Sequence, residues 1–285
     1  MKKRISLVLG SGGARGLAHI GIIRYLEERN YEIVSISGCS IGALIGGFYA
    51  AGKLDDYEAW IYELDAFDII SLLDFDGDGG LVEGTKLMKK LTDILGGDRT
   101  IESLPIPYTA IASDIEEEKE VWLQTGSLIG AIRASIAIPI FFAPFLTEGK
   151  KLVDGGVLNP VPIAPTFGDR SDITVAVNLG GEMAHQDLLG KPSQKETQLV
   201  EKFKNYLSSI TLSASLFQSD TLQVANSAFD TMQANLSRMK LAAYPPDIEI
   251  TIPRDLCGTL AFNRAKEVVA YGYTKAQEVF QNNPS

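Results

Sequence analysis

Two glycine-built junctions in the first 52 residues constrain the chain more than any other feature. "RISLVLG" runs into "SGGARG" and a helix-like segment, Gly16–Arg29. "EIVSIS" then runs into "GCSIG" and a second helix-like segment, Ile41–Ala51, with Gly52 in the C-cap place. Apolar β-branched runs alternating with helical segments make a βαβα opening, and strands joined by helices lie parallel in a sheet. The pattern continues. Helices are expected at 55–63, 84–95 and 127–135, and two strands joined by a charged turn in "YTAIASDIEEEKEVWLQTG". "KKLVDGG", "DITVAVNLG" and "DIEITIP" read as strands, Gly180–Glu196 as a polar connector, and Ala261–Phe280 as a closing helix. A long helical tract, 197–242, is stopped by Pro245 and Pro246. Its apolar residues read as core or interface, with a lid as the alternative.

At 285 residues and 45% hydrophobic, the chain can bury one large core, and a single domain over 1–285 is expected. A formal charge of −10 opposes nucleic acid and electrostatic docking on anionic lipid. Any membrane contact is therefore expected to be hydrophobic, local and transient. Two cysteines make no disulfide framework, which suits a reducing compartment. The opening "MKKRISLVLG" imitates a signal peptide, but its apolar core is shorter than the ~7–15 residues such a segment needs. It reads as a first strand. No apolar run reaches the ~18 residues that span a bilayer, so a cytoplasmic protein, at most peripheral at a membrane, is expected.

The chemistry gathers at the turns. In "GCSIG", Ser40 stands between Gly38 and Gly42 where a strand turns sharply into a helix, the setting of an exposed nucleophile. A small residue in a tight corner has the same signature. The loop "GSGGARG" offers backbone N–H groups at a helix start, a place for a phosphate or for a reaction oxyanion. The dinucleotide fingerprint fails, because its sixth position is Arg15, and no Gly-Lys-Ser/Thr follows for a P-loop. Gly12, Gly13 and Ala14 have the successive donors that an oxyanion needs. A serine nucleophile needs a base, and there are two histidines. His19, on the first helix, reads as a packing or capping residue, and His185 as solvated surface. Asp154 in "LVDGG" ends a strand and is the carboxylate candidate, although "DGG" is also a turn signature. "DFDGDGG" has calcium-loop offsets from Asp74, but its twelfth position is Thr85 where a bidentate glutamate is required, so it reads as a solvated turn. No Cys/His cluster has zinc spacing, and neither metal nor cofactor is expected.

Taken together, "GSGGARG", "GCSIG" and "DGG", in this order and each at a strand end, resemble the patatin-like phospholipases. "IRASIAIPIFFAPF" and the closing "DIEITIPRDL…FNRAKEVVAYGYTKA" extend the likeness, the latter toward bacterial members related to the neuropathy-target-esterase catalytic domain. The resemblance implies a three-layer α/β/α sandwich with a mainly parallel central sheet and hydrolysis of lipid or lysolipid esters. By motif it implies Ser40 as nucleophile, Asp154 as base, and Gly12, Gly13 and Ala14 as the oxyanion loop. Ser11 stands where that family often has glycine and Cys39 where it has threonine or another small residue, which suggests sensitivity to thiol reagents. A non-enzymatic regulatory protein on the same scaffold and a nucleotide-binding oxidoreductase are the alternatives.

Overall fold

The computed structural model describes residues 2–72, 82–139, 141–190 and 219–282. The opening is β1 (Arg4–Leu9), a 3₁₀ turn (Gly13–Leu17), α1 (Ala18–Glu28), β2 (Glu32–Cys39) and α2 (Ile41–Ala50). Helices α3 (Leu54–Ile61), α4 (Ala66–Leu72) and α5 (Thr85–Leu95) follow. Next come strands β3 (Tyr108–Asp114) and β4 (Lys119–Leu123), helix α6 (Leu128–Ser135), and strands β5 (Phe145–Thr147) and β6 (Lys150–Asp154). Strand β7 (Ile173–Gly181), a long helix (Ser219–Ala243), β8 (Ile248–Pro253) and a closing helix (Ala265–Asn282) complete the chain.

The strands form one sheet in which β3–β2–β1–β7–β8 are parallel neighbours, while β4 and β6 pair with β3, and β5 with β6, antiparallel. Alternation along the central strands sorts side chains onto two faces. Leu7, Leu9, Val175 and Val177 enter the main core with α1, α2 and the closing helix. Val8 and Ala176 point the other way, into a second core closed by Val161, Ile163 and Leu241 of the long helix. The result is the three-layer α/β/α sandwich with a mainly parallel sheet.

Sheet register positions the site. Ala110 pairs with Leu123 of β4 and Gly38 of β2, whereas Ala112 pairs with Val121 of β4 and Asp154 of β6. With β4 along one side of β3, β2 and β6 share the other side end to end, and they run toward each other. Their carboxyl ends meet where Cys39 pairs with Ile111 and Asp154 with Ala112.

Several expectations shift at their edges. The first helix begins as the 3₁₀ turn, so its α-helical part starts at Ala18 rather than Gly16. Helix α4 and the three-residue strand β5 were not expected; both are too short for a period to declare itself. Of the tract 197–242, the helix Ser219–Ala243 is present, and 197–218 lies outside the described residues, as does the acidic segment around Asp74. Gly52, at φ +66, is the left-handed residue just past α2. Among the described residues no helix is long and apolar enough to cross a membrane.

Candidate active site

Ser40 follows β2 with φ 56 and ψ −124, a backbone conformation that an L-residue adopts only when its surroundings hold it there. The neighbouring glycines make the bend feasible. A Cβ on Gly38 would lie 2.5 Å from the Gly42 carbonyl oxygen, and one on Gly42 would lie 2.1 Å from that of Leu9. The bend aims Ser40 at the end of β6. Its Oγ donates to Asp154 Oδ2 at 2.5 Å, both residues being buried, and the amino end of α2 adds a favourable dipole beside the hydroxyl.

Asp154 is held at its other oxygen as well, where Gly156 N donates to Oδ1 at 2.7 Å. Gly155 lets β6 turn away at this point, since a Cβ there would lie 2.2 Å from the Ile111 carbonyl oxygen. Burial raises the Asp154 carboxyl to a pKa of about 7, against the opposing pull of the hydrogen bonds from Ser40 and Gly156. A carboxyl poised there can accept a proton near neutral pH.

The glycine loop lies against the same point. Gly10 N donates to Val177 O at 3.1 Å and Ser11 N to Pro160 O at 2.8 Å, which anchors the loop's start. Ala14 N donates to Thr259 O at 2.8 Å. The three-donor expectation is therefore corrected, because an amide proton committed to Thr259 is not available to an oxyanion. The N–H groups of Gly12 and Gly13 find no acceptor among the described residues. Gly13 needs its glycine, with φ +57 and a hypothetical Cβ 2.6 Å from the Thr259 carbonyl oxygen.

Neither histidine reaches Asp154 or Ser40 by a hydrogen bond. His19 is fully buried, with its Nε2 on the Gly10 carbonyl at 2.9 Å, and burial lowers its pKa to about 4. It stays neutral and braces the loop. His185 is exposed in the connector. Cys39 is completely buried, and burial with the nearby Asp154 charge pushes its thiol well above the ordinary range. The expected sensitivity to thiol reagents loses its basis, since neither access nor thiolate is present.

Ser40 and Gly13 line an apolar cavity of about 110 Å³, together with Ile41, Leu44, Trp60, Leu91, Ile138 and Phe142 among others. A hydroxyl that lines an aliphatic and aromatic cavity, bonded to a buried carboxyl and with the unengaged N–H group of Gly13 on the same wall, can attack a carbonyl that carries a hydrocarbon chain.

The family model for patatin-like phospholipase matches residues 7–167, more than half of the chain, and spans the glycine loop, the elbow and Asp154. The chain belongs to the patatin-like phospholipase family. It is 37% identical to an uncharacterized NTE family protein of Mycobacterium bovis, over 98% of this chain and 92% of that one. It is 28% identical to a Neurospora crassa lysophospholipase and 27% to the Drosophila melanogaster neuropathy target esterase, each over 98% of this chain but only 18% and 20% of theirs. The patatin-like fold is also seen in VipD from Legionella pneumophila, which superposes with a TM-score of 0.57 over 99% of this chain and 67% of that one, at 18% identity.

Two residues of this patatin-like site carried no sequence signal of a role. Ser135 Oγ accepts from Ser40 N at 2.8 Å and donates to Ile111 O at 2.5 Å, tying the elbow to β3. It lies within "RASIAIP", where position alone marks it. Gln233, on the long helix, donates to Ser11 at 3.2 Å across 222 positions of sequence. No local pattern announces a partner so distant.

Proposed function

We propose that this protein is a serine acyl hydrolase that cleaves carboxylic esters of lipids, lysophospholipids included, through a Ser40–Asp154 dyad. One observation carries the reading: the 2.5 Å hydrogen bond to Asp154 Oδ2 from the Oγ of Ser40, a residue that lines an apolar cavity. The acyl chain lies in the cavity with the ester carbonyl against Ser40. Asp154 takes the hydroxyl proton as Oγ bonds to the carbonyl carbon, and the N–H groups of Gly12 and Gly13 receive the oxyanion. Collapse breaks the ester C–O bond, and the proton on Asp154 passes to the departing alkoxide. Water then attacks the acyl-serine and gives its proton to Asp154; the fatty acid leaves as Ser40 recovers its hydrogen.

Family membership and relatives named as lysophospholipases support the substrate class. A nucleotide-binding reading is disfavoured because three N–H groups of the loop are already engaged and Arg15 is committed to Asp230 and the Arg254 carbonyl. The test is hydrolysis of a lysophospholipid by the purified protein, with peptide mapping of a fluorophosphonate adduct. Turnover with the adduct on Ser40 is expected. Absence of both, from a folded protein, favours the regulatory alternative.

A further inference from the structure

Behind the dyad, a line of buried polar side chains connects the long helix to Asp154. The helix turns Gln233, Ala234, Ser237 and Leu241 inward. Gln233 Nε2 donates to Ser11 Oγ at 3.2 Å, and Cys39, whose thiol lies within the influence of the Ser11 side chain, has its Sγ 4.0 Å from Asp154 Oδ1. Gly156 makes room for this convergence. A Cβ there would lie 2.1 Å from Gln233 Nε2, 2.8 Å from Ser11 Oγ and 3.0 Å from Asp154 Oδ1. One turn earlier, Asp230 pairs with the buried Arg15 at 3.1 Å and pins the same helix to the glycine loop.

The direction of donation follows from the groups. The amide of Gln233 fills a lone pair on Ser11, which leaves the hydroxyl proton for the Cys39 sulfur; the thiol, kept protonated by burial, then has its own proton for Asp154. A carboxylate held at both oxygens resists rotation, so Oδ2 stays on Ser40. We propose that Gln233, Ser11 and Cys39 form a positioning relay for the Asp154 carboxylate, which makes the long helix part of the working site. The relay's catalytic meaning rests on the reading of Asp154 as the base. Another charge that acts on Cys39 is Glu120, which bonds Asn159 at 2.6 Å and pairs with Lys240 at 3.6 Å.

The test is an NMR titration of the Asp154 carboxyl carbon in the intact protein, beside the kinetics of ester turnover. Losing a donor to the carboxylate disfavours its charged form, so Cys39→Ala should raise the midpoint above its value of about 7. Cys39→Ser, which keeps a donor, should restore it. Gln233→Leu should move it the same way by less, and the double variant should match Cys39→Ala alone, as links of one chain must. At pH 6.5, kcat should fall about two- to tenfold with KM unchanged. Unmoved midpoints in folded variants, or shifts that simply add, overturn the relay. Should Gln233→Leu fail to fold, Ser11→Ala cuts the middle link and is read by the same criteria. A wild type that shows no ester turnover, while its midpoint still responds to Cys39→Ala, refutes the acyl hydrolase reading and supports the relay.

Discussion

Ser135 and Ser40 are joined by a 2.8 Å hydrogen bond from the backbone N–H of the elbow to a hydroxyl that itself donates to the Ile111 carbonyl at 2.5 Å. Ser135 is completely buried, so removing its hydroxyl leaves an amide and a carbonyl unpaired in the interior. Ser135→Ala is expected to cost about 1–3 kcal/mol by urea denaturation and to lower turnover as the elbow loosens. An unchanged denaturation midpoint would show that the bridge contributes nothing.

Ser40 has a left-handed φ of 56, which penalises any residue with a Cβ. Ser40→Gly and Ser40→Ala remove the same hydroxyl and should both abolish turnover. Ser40→Gly should be the more stable of the two by about 1 kcal/mol. Equal melting temperatures would mean that the elbow stores no strain at this position.

Asp154 links activity and stability to pH with opposite signs. In the proposed reaction the carboxylate is the reacting form, so turnover should rise with pH through about 7. Stability moves the other way. The folded pKa of about 7 lies above the ordinary 3.8, so the folded state binds the extra proton between those values and its stability falls as pH rises through that window. His19, lowered to about 4 from 6.5, contributes the reverse slope, losing stability as pH falls through its own window. The stability difference between wild type and Asp154→Asn isolates the carboxyl. It should shift steadily toward the variant from about pH 4 to 7 and then level off. A flat difference would mean that the buried carboxyl titrates near its ordinary value.

Gly13 has no room for a Cβ beside Thr259 and holds one of the two unengaged N–H groups. If this donor serves the oxyanion as proposed, Gly13→Ala should cut kcat by about 10²–10³ while KM changes little. Fluorophosphonate labelling of Ser40 should slow in parallel. Normal labelling by this variant would remove the loop from the mechanism.

What the sequence disclosed and what it hid divide by distance along the chain. The elbow is a local object: Gly38, Ser40 and Gly42 clash or fit within five residues, so their spacing is readable. The parallel order of β1 and β2 is legible for the same reason. Ala14 looked available as a donor because its acceptor, Thr259, lies 245 positions later (259 − 14). Gln233 and Ser135 were hidden likewise, one on an unremarkable polar helix and one inside a motif that shows no pairing. Ser11 and Cys39 did stand out as unusual residues, yet what they touch is set by the assembled sheet and the helix docked across it.

The head-to-head meeting of β2 and β6 on the same side of β3 has a consequence for when the chain becomes reactive. Ser40 and Asp154 are 114 positions apart and share no element; adjacent residues of β3 alone bring them together. A nascent or partly opened chain therefore has its serine apart from the Asp154 carboxyl and an elbow without its brace. Under the proposed dyad, chemical competence arrives only once β2 and β6 are both seated against β3, so a chain with that sheet unfinished cannot carry out the reaction.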